Sequence, residues 1–286
     1  MPELPEVETI VRGLRPLLEG RTFVRVRSFA PPDSIEISSS LRRRRLDSLL
    51  PGRTVLKIER RGKNILIALS GDITLWVHLK MTGKFLTRPA AAPRDKHDLV
   101  LLDLKSNGSG GERGRTHIRF NDYRRFGRLR LYPNHELWQQ DGLRALGPEP
   151  LDISEDDFVA LCRARSRMIK PALLDQSFLA GIGNIYADES LYLARIHPAR
   201  LTSTIRPARL AELHRHIQAV LRRSIEMMGT TVIDYGGVDG ASGSFQNMLR
   251  VYGREGEPCE VCGATIVRRK MGARSAHFCP RCQRQA

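Results

Sequence analysis

The chain has 286 residues, enough to bury a sizeable core in two domains, and its hydrophobic fraction of 41% is typical of a soluble protein. No apolar run reaches the roughly 20 residues of a membrane helix, and the acidic start does not resemble a signal or transit peptide, so a cytoplasmic location is expected. A net charge of +16 predicts attraction to a polyanion and binding that weakens as salt rises, which makes nucleic acid the expected partner.

The first ten residues, MPELPEVETI, place Pro2 behind the initiator methionine among Glu3, Glu6 and Glu8. A small second residue permits methionine removal, which would leave a secondary amine as the terminus. An α-amino group titrates near pH 8, about two units below a lysine side chain, so part of it is nucleophilic at neutral pH. A second reading is simpler: proline suits the first turn of a helix, and acidic residues there complement its dipole. From these ten residues alone, helix initiation is favoured.

Val7, Ile10, Val11, Leu14, Leu17 and Leu18 recur at helical spacing, and Gly20 supplies a stop. The segments TFVRVRSF, TVLKIER, NILIALS, ITLWVHLK, DLVLLDL, THIRF and GRLRLY follow, several alternating apolar with charged residues as half-buried antiparallel strands do. They predict a β-sandwich or barrel. SSSLRRRRLDSLLPG is expected to form a short basic helix, with Arg42 to Arg45 as a solvated face, and KSNGSGGERGR a hairpin loop.

Prolines cluster in LGPEPLDIS, and beyond it the period changes from two to helical. The fold expected is α+β. Its parts are an N-terminal helix with an antiparallel β-sandwich over 1–147, a helical DNA-binding domain over 148–250 and a finger over 251–286. Helices are expected in SEDDFVALCRARS, IKPALLDQSFLA, NIYADESLYLARI and RPARLAELHRHIQAVLRRSIEMMG. Within them, Ala180 to Gly183 form a glycine turn that lets Asn184 open the next helix with its amide groups toward a phosphate. Cys162 reads as a small buried hydrophobe.

Two residues lie between Cys259 and Cys262, and two between Cys279 and Cys282, with 16 residues between the pairs. This spacing fits a closed tetrahedral site for one structural zinc ion, with a β-hairpin between the pairs holding out Arg268, Arg269, Lys270 and Arg274. Met81, Arg124 and Phe126 are side chains able to fill a gap in a base stack, although Met81 and Phe126 taken singly read as core residues. Lys63 follows a glycine between strands and is equally compatible with a surface cation.

Together PELPEVET, RRGKN, HLKMTG, NDYRRFG, IKPALLDQ, GIGNIYADE and the four-cysteine finger make the chain resemble the bacterial formamidopyrimidine-DNA glycosylases almost end to end. The resemblance implies a helix-two-turn-helix and a bifunctional enzyme that excises oxidised purines, notably 8-oxoguanine and formamidopyrimidines, and then cleaves the abasic strand. Pro2 would attack C1′ and form a Schiff base, Glu3 would be the neighbouring acid, and Glu6 would support the terminus. Lys63 would assist β-elimination, and Arg274 would lie near the phosphate released by δ-elimination. Met81, Arg124 and Phe126 would enter the duplex, while His78, His97, Arg125, Lys170, Asn184 and Tyr252 would hold phosphates. The implied partner is double-stranded DNA containing damaged bases, bound by a monomer.

Three stretches depart from the family's pattern. Ser244 and Phe245 stand where many members have Gly-Tyr-Phe in a base-capping loop, Lys80 where glycine is common, and no lysine precedes Lys170. Two rival readings are a sister glycosylase for oxidised pyrimidines, of the endonuclease VIII type, and a non-catalytic zinc-ribbon DNA-binding or ribosomal protein. The PELPEVET start and the Met, Arg, Phe set argue against the first. The Pro2-Glu3 terminus and Lys63 argue against the second.

Overall fold

The computed structural model describes residues 1–41, 45–89, 91–105, 116–230 and 243–285. Two compact units emerge, one of Met1–Arg144 with Met228–Gly243, the other of Ala145–Met227 with Ser244–Ala286. Of the stretch 228–243, the described residues 228–230 and 243 thus belong with the first unit, and the C-terminal finger belongs with the helices.

The first unit begins with helix α1 (Leu4–Leu18), which the helical spacing of its apolar residues anticipated. Val7, Ile10, Val11, Leu14 and Leu18 are fully or almost fully buried in one core with residues of both sheets. Each such burial contributes on the order of 2 kcal/mol. The strands are β1 (Phe23–Ser28), β2 (Ile35–Ile37), β3 (Val55–Arg61), β4 (Asn64–Leu69), β5 (Ile73–His78), β6 (Lys84–Pro89), β7 (Asp98–Leu104), β8 (Thr116–Asn121) and β9 (Arg128–Pro133). They form a five-stranded sheet in the order β2-β9-β5-β4-β3 and a four-stranded sheet in the order β1-β7-β8-β6. All pairings are antiparallel except β2 with β9.

Short helices α2 (Leu46–Leu49), α3 (Asn134–Leu137) and α4 (Asp141–Arg144) complete this unit. The basic stretch forms a helix only over α2; Arg42 to Arg44, like residues 106–115 of the Gly/Ser-rich segment, lie outside the described residues.

Register fixes where the loops emerge. In the five-stranded sheet Asn64 opposes His78, and His78 opposes Arg128. In the four-stranded sheet Lys84 opposes Asn121. Residues 79–83 therefore cross from β5 to β6 beside residues 122–127, which cross from β8 to β9. The β3–β4 turn, which carries Lys63, lies at the same end of the five-stranded sheet.

The second unit contains α5 (Glu155–Arg163), α6 (Ile169–Leu174), α7 (Asn184–Leu193) and α8 (Pro207–Glu226), then the hairpin of β10 (Val267–Met271) and β11 (Arg274–Phe278). Ser154 caps α5 by accepting the Asp157 N–H, at 3.1 Å. Cys162 is fully buried, and burial pushes its thiol up to about 12, so it is an inert core residue.

Candidate active site and nucleic-acid interface

Glu3 is the N-cap of α1, and the Glu3 and Glu6 side chains are both buried. Glu6 Oε2 accepts the Glu3 N–H at 2.8 Å, and its Oε1 accepts the Thr230 N–H, also at 2.8 Å. One carboxylate thus bridges two distant stretches of backbone, its own residue lying 224 positions from Thr230, and fixes the peptide that follows the half-buried Pro2. Pro2 lies one residue ahead of the cap, outside the helix itself, and the proline within the first turn is Pro5.

Lys63 is not a surface cation, being 5% exposed. Its turn depends on Gly62, whose φ of +56° lies in the left-handed region. Asn64 Nδ2 donates to the Arg61 carbonyl at 3.0 Å, and Arg60 donates to the Gly62 carbonyl at 3.0 Å while pairing with Glu8 of α1 at 3.2 Å. These contacts hold Lys63 in one place and tie its turn to the first helix.

The crossing loops gather the expected duplex-inserting residues. Met81 is 45% exposed and Phe126 47%, so neither is a core residue. Arg124 Nη1 lies 3.2 Å from Met81 Sδ, and the Arg124 guanidinium sits 4.8 Å from the centroid of the Phe126 ring. The two loops that carry them are joined by Asp122, which is fully buried. Its carboxylate accepts from Thr82 Oγ1, from the Arg124 N–H at 3.2 Å and from the Gly127 N–H at 2.7 Å. Asp122 carried no sequence signal of its own beyond its place beside the motif.

His78 Nδ1 accepts the Lys80 N–H at 3.0 Å, so the ring proton resides on Nε2. Burial first, then the charges of Lys80, Lys63 and Arg130, push the imidazole down to about 3, leaving it neutral at pH 7. Lys80 itself has φ +54°, in the left-handed region that favours glycine, the residue the resemblance leads one to expect there. Arg125 has φ +58° and an exposed side chain. His97, half-buried, takes the Asp122 N–H on its carbonyl at 3.0 Å.

In the second unit Asn184 opens α7, as anticipated, with Gly183 as its cap. Gln176 pins the preceding turn, accepting the Gly181 N–H at 3.0 Å and donating to the Ile182 carbonyl at 2.9 Å. Lys170 differs from the expectation of a phosphate-facing cation: it is 1% exposed, and its ammonium donates to Asp188 at 2.5 Å and to the Ser275 carbonyl at 2.6 Å. A buried ammonium requires such a partner, and the partner lies 18 residues away on another helix. Tyr252 is half-buried with its ring 4.9 Å from that of His277.

The Sγ atoms of Cys259, Cys262, Cys279 and Cys282 all lie within 4.8 Å of one another. Separations of 3.9 Å between Cys259 and Cys282, and 3.4 Å between Cys262 and Cys279, bracket the edge of about 3.8 Å expected for four sulfurs about 2.3 Å from zinc. The donor set fits one structural zinc ion and leaves no open position for substrate. Arg274 is exposed at the end of the hairpin, next to the turn formed by Gly272 and Ala273.

Residues 1–129 match the formamidopyrimidine-DNA glycosylase N-terminal domain, residues 146–235 the formamidopyrimidine-DNA glycosylase H2TH domain, and residues 256–285 the zinc finger found in FPG and IleRS. The formamidopyrimidine-DNA glycosylase of Herpetosiphon aurantiacus is 44% identical over 285 residues, covering 99% of this chain and all of that protein. That of Pelotomaculum thermopropionicum is 41% identical, with 99% of each chain covered. A Lactococcus lactis FPG mutant in complex with Fapy-dG-containing DNA is 34% identical, with a TM-score of 0.87 over 99% of this chain and 100% of that one. The wild-type Lactococcus lactis protein with N7-benzyl-Fapy-dG DNA matches equally well, at 34% and 0.87 over the same shares. With its three parts matched in order and relatives aligned over the full length, the chain belongs to the formamidopyrimidine-DNA glycosylase family.

Proposed function

We propose that the protein is a base-excision-repair glycosylase and AP lyase that removes oxidised purines from double-stranded DNA through a Schiff base on Pro2. The observation that carries this reading is the amino terminus, where Pro2 directly precedes a helix cap pinned by the buried Glu6 carboxylate.

Once Met1 is removed, the Pro2 nitrogen attacks C1′ and the bond from C1′ to the base breaks. The base leaves with a proton, and Glu3 protonates the sugar ring oxygen as the ring opens, giving an iminium ion. Loss of a C2′ proton, assisted by Lys63, expels the 3′ phosphate. A second elimination expels the 5′ phosphate near Arg274, leaving a one-nucleoside gap with phosphate at both ends. Zinc takes no part in these steps; bound by the four thiolates, it holds the finger hairpin.

Met81 and Phe126 occupy the space of the extruded nucleotide while Arg124 donates to the orphaned cytosine, compensating an unstacking cost of a few kcal/mol. The neutral His78 donates Nε2–H to a phosphate, and Asn184, His97, Arg125 and Tyr252 add further backbone contacts. We infer a monomer acting in the cytoplasm on nucleoid DNA.

The test is incubation with a duplex carrying 8-oxoguanine opposite cytosine in the presence of borohydride, which reduces an iminium to a stable link. An adduct mapping to Pro2 is expected. An adduct formed only with an oxidised pyrimidine moves the substrate class to that of the sister family, and no adduct with either duplex removes the catalytic reading. Pro2→Gly is expected to abolish cleavage while retaining DNA binding.

A further inference from the structure

Helix α7 carries two adjacent buried carboxylates, Asp188 and Glu189, and both are spent on the chain that forms the finger. Glu189 accepts the N–H groups of Arg250, Val251 and Tyr252 at 2.9, 3.0 and 2.9 Å, which fixes the limb entering the finger. Asp188 Oδ2 accepts the His277 N–H at 3.0 Å and faces His277 Nδ1 at the same distance. Asp188 Oδ1 receives Lys170, which continues to the Ser275 carbonyl. The two anchored residues, Ser275 and His277, follow Arg274 by one and three positions on β11.

Burying an ammonium and a carboxylate carries a desolvation cost that a well-formed pair only roughly offsets, so stability alone does not account for placing them here. What this arrangement supplies is a fixed strand. The Arg274 side chain is exposed at the end of a two-stranded hairpin, and a planar guanidinium grips a phosphate with least entropy loss when its strand is already immobile.

We propose that Asp188, with Lys170 and His277, positions Arg274: the network yokes β11 to α6 and α7 so that the guanidinium is presented to phosphate in one orientation. This rests on the reading of Arg274 as a phosphate contact. Lys170 then serves DNA binding through Arg274.

The test is a double-mutant cycle on the zinc-loaded protein, measured as equilibrium affinity for a duplex containing a tetrahydrofuran abasic analogue, which cannot be cleaved. Arg274→Gln is expected to weaken binding about tenfold and to lower the slope of log affinity against log salt by about 0.9, the loss of one phosphate contact. Asp188→Asn reproduces both changes with zinc content unaltered, and the double variant binds no more than about twofold more weakly than Arg274→Gln alone.

His277→Phe provides a second cycle if Asp188→Asn fails to fold, because it removes Nδ1, which faces Asp188, and Nε2, which faces the exposed Glu255 at 3.5 Å, and keeps a ring beside Tyr252. It is expected to weaken binding about threefold in the wild-type background and not measurably in Arg274→Gln. Additive losses overturn the proposal, as does an Arg274→Gln variant that binds like wild type. A protein that passes this cycle yet forms no borohydride adduct invalidates the enzymatic reading and leaves the positioning role intact, since no cleavage is measured.

Discussion

The indole Nε1 of Trp76 donates to the Asn64 side-chain oxygen at 2.8 Å, and Asn64 closes the turn that carries Lys63 by donating to the Arg61 carbonyl. The turn that carries Lys63 is therefore braced by a relay of two hydrogen bonds that starts on the neighbouring strand. Trp76→Phe keeps most of the packing but leaves the buried Asn64 oxygen without its donor, at a cost of about 1–3 kcal/mol. Urea unfolding is expected to show that loss. Single-turnover assays on a preformed abasic duplex are expected to show slower elimination with little change in affinity.

What the sequence disclosed divides along physical lines. Period 3.6 gave α1, alternation gave most strands and ligand spacing gave the four-cysteine site, because each is a local pattern. Ile35–Ile37 is too short to show a period, and Lys84–Pro89 ends in proline without a clean alternation, so β2 and β6 escaped. The side chains whose surroundings single residues left open depend on distant partners. Met81 and Phe126 look apolar and stand exposed because they lie on crossing loops, whereas Lys63 and Lys170 look exposed and are buried. The Glu6 bond to Thr230 spans 224 residues, and no window of sequence contains it.

Asp122 unites the two crossing loops, which makes it a sensitive position outside the residues that the motifs single out. Asp122→Asn replaces one acceptor with an amide donor facing either the Gly127 N–H or the Thr82 and Arg124 donors. The expected cost is about 1–3 kcal/mol in stability. Because Arg124 loses its support, the ratio of excision rates opposite cytosine and opposite adenine is expected to fall toward that of Arg124→Ala. Excision time courses on the two duplexes measure this.

Removing zinc with a chelator is expected to release the finger while the first unit stays folded, since the four thiolates lie wholly within residues 259–282. Affinity for duplex should fall steeply and return on adding zinc. Far-ultraviolet circular dichroism should lose little signal, because only the short β10–β11 hairpin depends on the metal. Cys262→Ala should behave as the chelated protein does and should not respond to added zinc.

His78 gives a pH prediction whose sign follows from its surroundings. The imidazole is held down to about 3 when folded, whereas an unfolded histidine titrates near 6.5. Between these values the unfolded chain binds the additional proton, so this contribution to stability is present above about pH 6.5 and is lost as pH falls toward 3. The slope for one proton is about 1.4 kcal/mol per pH unit within that window. His78→Gln removes the titrating group, and its urea-unfolding free energy should fall less steeply than wild type from pH 6.5 to 4.5. Equal slopes would mean that the ring is not held neutral. The same neutrality bears on DNA: a ring already deprotonated at pH 7 donates through Nε2–H without titrating, so the His78 contribution to duplex affinity should be flat from pH 6 to 8. Affinities of wild type and His78→Gln across that range measure it directly.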